Sequence, residues 1–454
     1  MGNEHNRQER RRLSRVLDSL HEFELFICGY QSELLYREMP ALTKSEARSR
    51  GIHSIDIDIS TLREAYGIQD YLSRSIQKRS DKLILNILGL NHQIDPFSAS
   101  ALLNQLNLLR DRMADDYPFG FFLWLPEILI ARVTIDAPDL WSWRSTVFTF
   151  EAPDKPLLYE TISVVVPPEK RFENLTFEEK QRYYENLKEK EIPDIKSTVS
   201  PPQKKKIADH LSELGYFSSF YGNYGHALDF YKKSSEIFNE IEDFAALASN
   251  YNEIGFTYSS TGDNESAHNY LRKSSELAQR ILRKELTVST LANVATIHYR
   301  RGEYEKALDV YRQISKEVLD KQDQSTKAGI ILGKAVVTAA LGKPNEALWM
   351  MKESLDIYRE LGFTHGEGVA LANIGVTLIA GGDTKRGIEF LEQSLIHCRE
   401  TGDRVAEGIR SVNLALAWKE LENMDAADKY ADNARKMAKS IDHVLLKTAV
   451  QNLD

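Results

Sequence analysis

Apolar and polar positions along this chain follow two different rhythms. Up to about residue 151 the apolar residues gather into short runs: Phe23–Cys28, Ile55–Ile59, Leu83–Leu88, Phe121–Leu125 and Val147–Phe150. Stretches of helical character separate them, among them Ser32–Glu38, Leu62–Ile76 and Ala99–Ala114. Strands that alternate with helices predict a mostly parallel α/β sheet with helices on both faces. From Ile207 onward the spacing becomes helical, as in Leu371, Ile374 and Leu378 followed by Ile388, Leu391 and Leu395. Between these regions the proline pairs Pro167–Pro168 and Pro201–Pro202 mark breaks. The intervening segment holds an apolar run, Ile162–Val166, and a charged helical stretch, Thr176–Glu191. The expected division is therefore 1–151, an α/β domain; 152–204, a linker with a short helical stretch; and 205–454, an all-α region.

The all-α region repeats every 40 residues, with Gly222, Gly262, Gly302, Gly342 and Gly382 at that interval. Seven positions before each stands a small residue, Gly215, Gly255, Ala295, Ala335 and Gly375, with Ala415 in a sixth unit. Five positions after each stand Ala227, Ala267, Ala307, Ala347 and Gly387, with Ala427 in the sixth. Small residues on both partners let two antiparallel helices approach closely, and the glycine between them frees the backbone to turn. One such hairpin cannot bury its own faces, so the units must stack. These offsets resemble the tetratricopeptide repeat, in a long-helix form over 207–441 like that of kinesin light chains, bacterial Rap-type regulators and STAND sensor domains. Glu422 stands where the sixth glycine is expected, which suits a terminal capping repeat.

The resemblance implies a superhelix that binds protein partners on a concave face lined by the first helix of each repeat, helix A. In that register repeats one to three present Asp209, Ser212, Tyr216, Ser249, Asn252, Tyr299 and Arg300, a polar and aromatic mixture. Repeats four and five present Leu332, Val336, Ala339, Ala340, Val369, Ala372, Val376 and Ile379, which are apolar. Two readings stand for this second set. It is an open docking site for an amphipathic helix, or the protein fills it, with segment 152–204 as a ready occupant. In the family an asparagine two positions before the first small residue contacts peptide backbone. Asn293, Asn373 and Asn413 match that position, whereas Glu253 and Gly333 do not.

The N-terminal region carries a second resemblance. Leu106–Phe150 is similar to the end of the ATPase-like, P-loop-NTPase-like domain that precedes the repeats in some bacterial STAND proteins. The phosphate-binding chemistry of such a domain is missing. Glycines whose amides surround phosphate, followed by a lysine, should come after the first strand; here the chain reads Gly29-Tyr30-Gln31-Ser32-Glu33, and no GxxxxGK[ST] occurs anywhere. The third strand ends in Gly89-Leu90-Asn91, without an acidic pair for magnesium. A degenerate domain without cofactor is expected. The segment Trp141-Ser142-Trp143-Arg144 joins residue types that dominate interface hot spots; the plainer reading packs both tryptophans at a helix–strand junction and pairs Arg144 with a carboxylate such as Asp139.

Composition narrows the function further. A net charge of -9 argues against general nucleic-acid binding. No stretch reaches the about 18 apolar residues of a membrane-spanning helix, and the Arg-rich N-terminus lacks the apolar core of a secretory signal. Cys28 and Cys398 sit in segments that read as buried, as reduced thiols in a cytoplasmic setting would, and two cysteines build no zinc site. Asp56-x-Asp58 alone is a weak metal pattern, and no nucleophile–base pattern emerges. The expectation is a non-enzymatic adaptor or sensor, with the repeats binding a protein and the N-terminal domain docking an effector or a second copy. The family setting implies prokaryotic signalling or defence. An NTPase switch with a non-standard site and an inhibitor that sequesters an enzyme are the alternatives.

Overall fold

Each apolar run of the N-terminal region forms a strand in the computed structural model. The structure describes residues 4–20, 22–60, 62, 67–75, 83–116, 120–152, 172, 175–189, 200–281, 284–314, 323–441 and 443–453. The run Ile162–Val166 and the pair Pro167–Pro168 lie outside these residues. The strands are β1 (Glu24–Tyr30), β2 (His53–Asp58), β3 (Leu83–Leu88), β4 (Gly120–Pro126) and β5 (Arg144–Phe150). They pair in parallel in the order β2-β3-β4-β1-β5. The central strands β1 and β4 are buried along almost their whole length, whereas the edge strands β2 and β5 are only partly covered. That is the pattern of a parallel sheet packed on both faces at its centre. One face is filled by Phe26, Cys28, Trp124, Phe148 and Phe150 against Leu13, Leu17 and Met39. Buried Asn86 ties three strands together: it donates to Asp56 on β2 (2.9 Å) and accepts from the Trp124 indole on β4 (3.1 Å).

Helix α1 (Glu4–Ser19) protects the β5 edge. Asn6 donates to the Glu151 carbonyl (2.7 Å) and accepts from the Glu151 amide (2.9 Å), pairing as a neighbouring strand would. Glu9 accepts from the Thr149 amide (3.3 Å), and His5 lies 2.9 Å from the Thr149 carbonyl. An unpaired sheet edge is thereby blunted by side chains.

The chain folds into two compact units. The first comprises Met1–Leu157 with two further segments, Thr377–Ile388 and Glu420–Asn423. These segments sit at the C-terminal end of β1, the end where open α/β sheets place ligands. Only Gln31 and Ser32 separate β1 from helix α2 (Glu33–Ser49), and the Ser32 hydroxyl caps that helix by accepting from the Leu35 amide (3.3 Å). The Glu33 amide is taken by the Glu420 carboxylate (3.1 Å), and the Ile128 amide donates to the Gly381 carbonyl (3.3 Å). Gly382, at φ +92°, lies so close to the Tyr30 carbonyl that a Cβ there would overlap it. Arg37 pairs with Glu422, and Arg386 donates to the Asn91 carbonyl (2.5 Å).

The second unit holds the repeats. Helix A and helix B of repeat one are Pro201–Phe220 and Tyr224–Glu240. Those of repeat two are Phe244–Ser260 and Asn264–Arg280; of repeat three, Lys284–Arg300 and Tyr304–Gln313; and of repeat four, Gln324–Ala340 and Pro344–Glu360. Repeat five has Thr364–Ala380 and Thr384–Thr401, and repeat six Arg404–Glu420 and Met424–Ser440. A last helix, Val444–Gln451, follows.

The repeating step is finer than the glycine series suggests. Residues of positive φ also occur between repeats, at Glu242, Gly362 and Gly402, midway between the A–B turns at Gly222, Gly262, Gly342, Gly382 and Glu422. Both kinds of turn therefore bend the chain through one left-handed residue. Glu422 adopts φ +60° without being glycine. Small residues fix the approach of A to B: a Cβ on Gly215 would lie 2.8 Å from the Tyr231 ring, and one on Gly255 2.7 Å from Leu271. A buried serine in helix B adds a hydrogen bond to a helix A carbonyl in four repeats: Ser234 to Ala208 (2.7 Å), Ser274 to Ala248 (2.8 Å), Ser354 to Ala328 (2.8 Å) and Ser394 to Gly368 (2.5 Å). Ile314 and Ala434 replace it in repeats three and six.

Two contacts join distant repeats within this unit. The helix Phe177–Glu189, within the charged stretch of the linker, packs on helix A of repeat one, where Tyr183 donates to Glu213 (2.9 Å) and Tyr184 pairs with Ser218 (3.0 Å). Its Lys180 donates to the Thr401 carbonyl (3.3 Å), at the turn between repeats five and six. At the other end Ile441 and Val444 rest on the turns at Gly222 and Gly262. The C-terminal segment thus meets the first two repeats.

Candidate functional site

The helix A residues divide sharply by accessibility. In repeats four and five Leu332, Val336, Val369, Ala372, Val376 and Ile379 are all at most 3% exposed, and Ala339 is partly buried. These side chains are interior, so of the two readings their burial agrees with the one in which the protein covers its own apolar face rather than leaving it open. The physical reason is written in helix A of repeat five, which has no charged residue after Glu367 and is buried from Gly368 through Ile379. A helix that is apolar on every side has no solvent face to offer a partner. The expected backbone-clamping asparagines divide in the same way. Asn373 is fully buried and donates to the Val369 carbonyl of its own helix (3.1 Å), and Asn413 is buried. Asn293 alone among them remains partly accessible.

Around Asn293 the structure assembles a polar path across adjacent A helices. Asn293 donates to Asn252 (2.9 Å), and Asn252 donates to the Glu253 carboxylate (3.3 Å). The surrounding helices strip water from Glu253 and push its pKa up to about 7, so near neutrality it exchanges between acceptor and donor. Two turns beyond Asn293 the Arg300 guanidinium donates to the Ser259 carbonyl (2.9 Å) and hydroxyl (2.7 Å), while the residue stays exposed. Tyr216, Ser212, Ser249 and Tyr299 are partly accessible, and Asp209 is exposed. An amide pair, a carboxyl near its midpoint and an accessible guanidinium can satisfy the alternating donors and acceptors of an extended backbone and one acidic group. Sequence reasoning had the helix A register and Asn252, Asn293 and Arg300, but set Glu253 aside as a departure from the family's asparagine. Its perturbed carboxyl comes from packing and has no local signal.

The tryptophan segment resolves differently from its plain reading. Arg144 stacks on Trp141 (3.7 Å to the ring centroid) and donates to the Trp141 carbonyl (2.5 Å). The carboxylate of Asp139 instead faces Arg110 (3.4 Å) and Asn107 (3.1 Å). Trp143 stays 42% exposed beside Phe23 and Arg110. Asp56 is bound to Lys44 and Asn86, and Asp58 accepts from the Ser60 amide. Among the described residues no group of three or more His, Cys, Asp or Glu side chains is placed to hold a metal ion. Burial pushes both cysteine thiols up, Cys398 to about 11, away from the reactive range. No described helix is long and apolar enough to cross a membrane.

A tetratricopeptide repeat family model matches residues 246–316, within repeats two and three. No curated protein matches the chain. Among solved structures, the Rap conjugation gene regulator of the plasmid pLS20, in complex with the Phr peptide, is 12% identical; the match covers 58% of this chain and 70% of that one, with a TM-score of 0.44. A Rap protein complexed with competence and sporulation factor is 14% identical, covering 57% and 80%, at a TM-score of 0.43. The STAND protein with a tetratricopeptide repeat sensor from Pyrococcus horikoshii is 13% identical and matches across 100% of this chain and 84% of its own, at 0.39.

Proposed function

We propose that this protein is a non-enzymatic regulator whose repeats two and three capture an extended protein segment on their helix A face, while the N-terminal domain docks an effector. The observation that carries this reading is the accessible path Asn293–Asn252–Glu253 with Arg300 beside it. Helix A of repeat five offers no comparable polar surface. The reading of the N-terminal domain as nucleotide-free is supported by the two-residue connection from β1 to α2 and by the Glu420 carboxylate on the Glu33 amide. A phosphate would seek that same helix end. A cytoplasmic role in prokaryotic signalling or defence follows only from the family setting and belongs to the same proposal.

The test is affinity capture followed by identification of bound proteins, with wild type beside Asn293→Ala/Arg300→Glu. Both residues are at least partly accessible to solvent, and circular dichroism checks that the double variant keeps its fold. A partner held by wild type and released by the double variant is the expected result. Identical partners on both would remove this face from consideration and direct attention to Trp143.

A further inference from the structure

The C-terminal helix begins at an unusual cap. His443, 5% exposed, accepts the Leu446 amide proton on its Nδ1 (3.3 Å) in the role an Asp or Ser side chain usually fills. Its ring lies 5.8 Å from the Tyr224 ring of repeat one. On either side, Ile441 and Val444 rest against the turns at Gly222 and Gly262. The residue that caps the last helix therefore sits at the contact that joins the C-terminus to the first two repeats.

This cap works only in one protonation state. An imidazole with a proton on both nitrogens has no lone pair for the Leu446 amide. It would also place a positive charge at the positive end of a helix. We propose that His443 is an acid-sensitive latch: protonating it uncaps the C-terminal helix and frees the turns of repeats one and two. The two charged groups facing it act in opposite directions, with the cation disfavoured on balance. Arg300 from repeat three disfavours the cation, Asp403 from the turn before repeat six favours it more weakly, and the Tyr224 ring packs beside it.

Burial, with Arg300 next, lowers the His443 pKa to about 4 in the latched state, against 6.5 ordinarily. A histidine held below its free value supports the closed form fully above pH 6.5 and progressively loses that support as pH falls toward 4. The open-to-closed ratio should rise about 20-fold between pH 7 and pH 5. His365, 3.8 Å from Asp403 and also held below its usual value by burial, titrates in the same direction and must be separated.

The experiment is amide hydrogen exchange of Leu446 and of the Gly222 turn in the full chain, from pH 7 to pH 5, corrected for intrinsic rates. Wild type should open about 20-fold more at pH 5. His443→Asn keeps a cap acceptor without a titrating ring, so its opening should be flat across this range. His365→Gln should keep the wild-type slope. An unchanged slope in His443→Asn, or a slope lost only in His365→Gln, overturns the proposal. So does a flat wild-type profile.

Discussion

The serine that recurs in helix B offers a sharp test of how the repeats are held together. Ser354 and Ser394 occupy equivalent positions and are both fully buried. Each donates to a helix A carbonyl, Ser354 to Ala328 at 2.8 Å and Ser394 to Gly368 at 2.5 Å. One difference between them bears on stability. Ser394 also accepts from the Nε of Arg410, which lies in repeat six and is itself fully buried (3.0 Å). Ser354→Ala removes one neutral hydrogen bond and should cost about 1 kcal/mol, since the carbonyl keeps its bond within the helix. Ser394→Ala removes the same bond and also strips an acceptor from a buried guanidinium. Hydrogen bonds to charged groups contribute about 1.5–3 kcal/mol, so the total should be about 3 kcal/mol.

The assay is urea unfolding of the full chain, compared by midpoint at unchanged slope. A double-mutant cycle with Arg410→Met completes it: in that background Ser394→Ala should fall back to about 1 kcal/mol, because no charge is left wanting an acceptor. Equal costs for the two serine variants in the native background would refute the reasoning. So would an undiminished Ser394→Ala effect beside Arg410→Met.

Two further predictions concern the turns and the sheet edge. Gly382→Ala and Gly342→Ala both place a side chain at positive φ, which costs about 1–2 kcal/mol. Only Gly382 abuts a carbonyl, that of Tyr30, while nothing lies within 4 Å of a Cβ at Gly342, so the Gly382 variant should lose about 1–3 kcal/mol more in thermal unfolding. Asn6→Ala removes both bonds to Glu151 and should raise amide exchange at Glu151 by roughly tenfold or more, with little change at the central strand β1.

Much of this architecture could be read from periodicity because periodicity is what builds it. All five strands lie where short apolar runs predict them, and the glycine series marks five of the six A–B turns. The contents of the helix A face were less legible. Val336 and Val376 have the right spacing for a groove, yet spacing says only which face they share and not whether something covers it. Helix α1 escaped notice because its partner is distant: Asn6 reads as one more polar residue until Glu151, 145 positions later, supplies its two bonds. The same holds for Arg144, whose nearest carboxylate in sequence, Asp139, is engaged by Arg110 and leaves the guanidinium to stack on Trp141.

The distribution of charge along the A helices differs sharply between the repeats. From Gly368 to Ile379 helix A of repeat five carries apolar or small residues apart from Asn373 and Thr377, so its burial is a consequence of composition and any charge placed there would be stranded. In repeats two and three, helix A alternates small packing residues with Asn252, Glu253, Asn293 and Arg300. A stacked array needs only the small and apolar positions to hold together. The polar residues are surplus to packing, and Glu253 is costly to it, since the surrounding helices raise its pKa to about 7. Stability alone would replace that carboxyl with an apolar or amide side chain. Under the proposed function that cost is offset by a role in recognition, which Glu253 would share with the accessible Arg300.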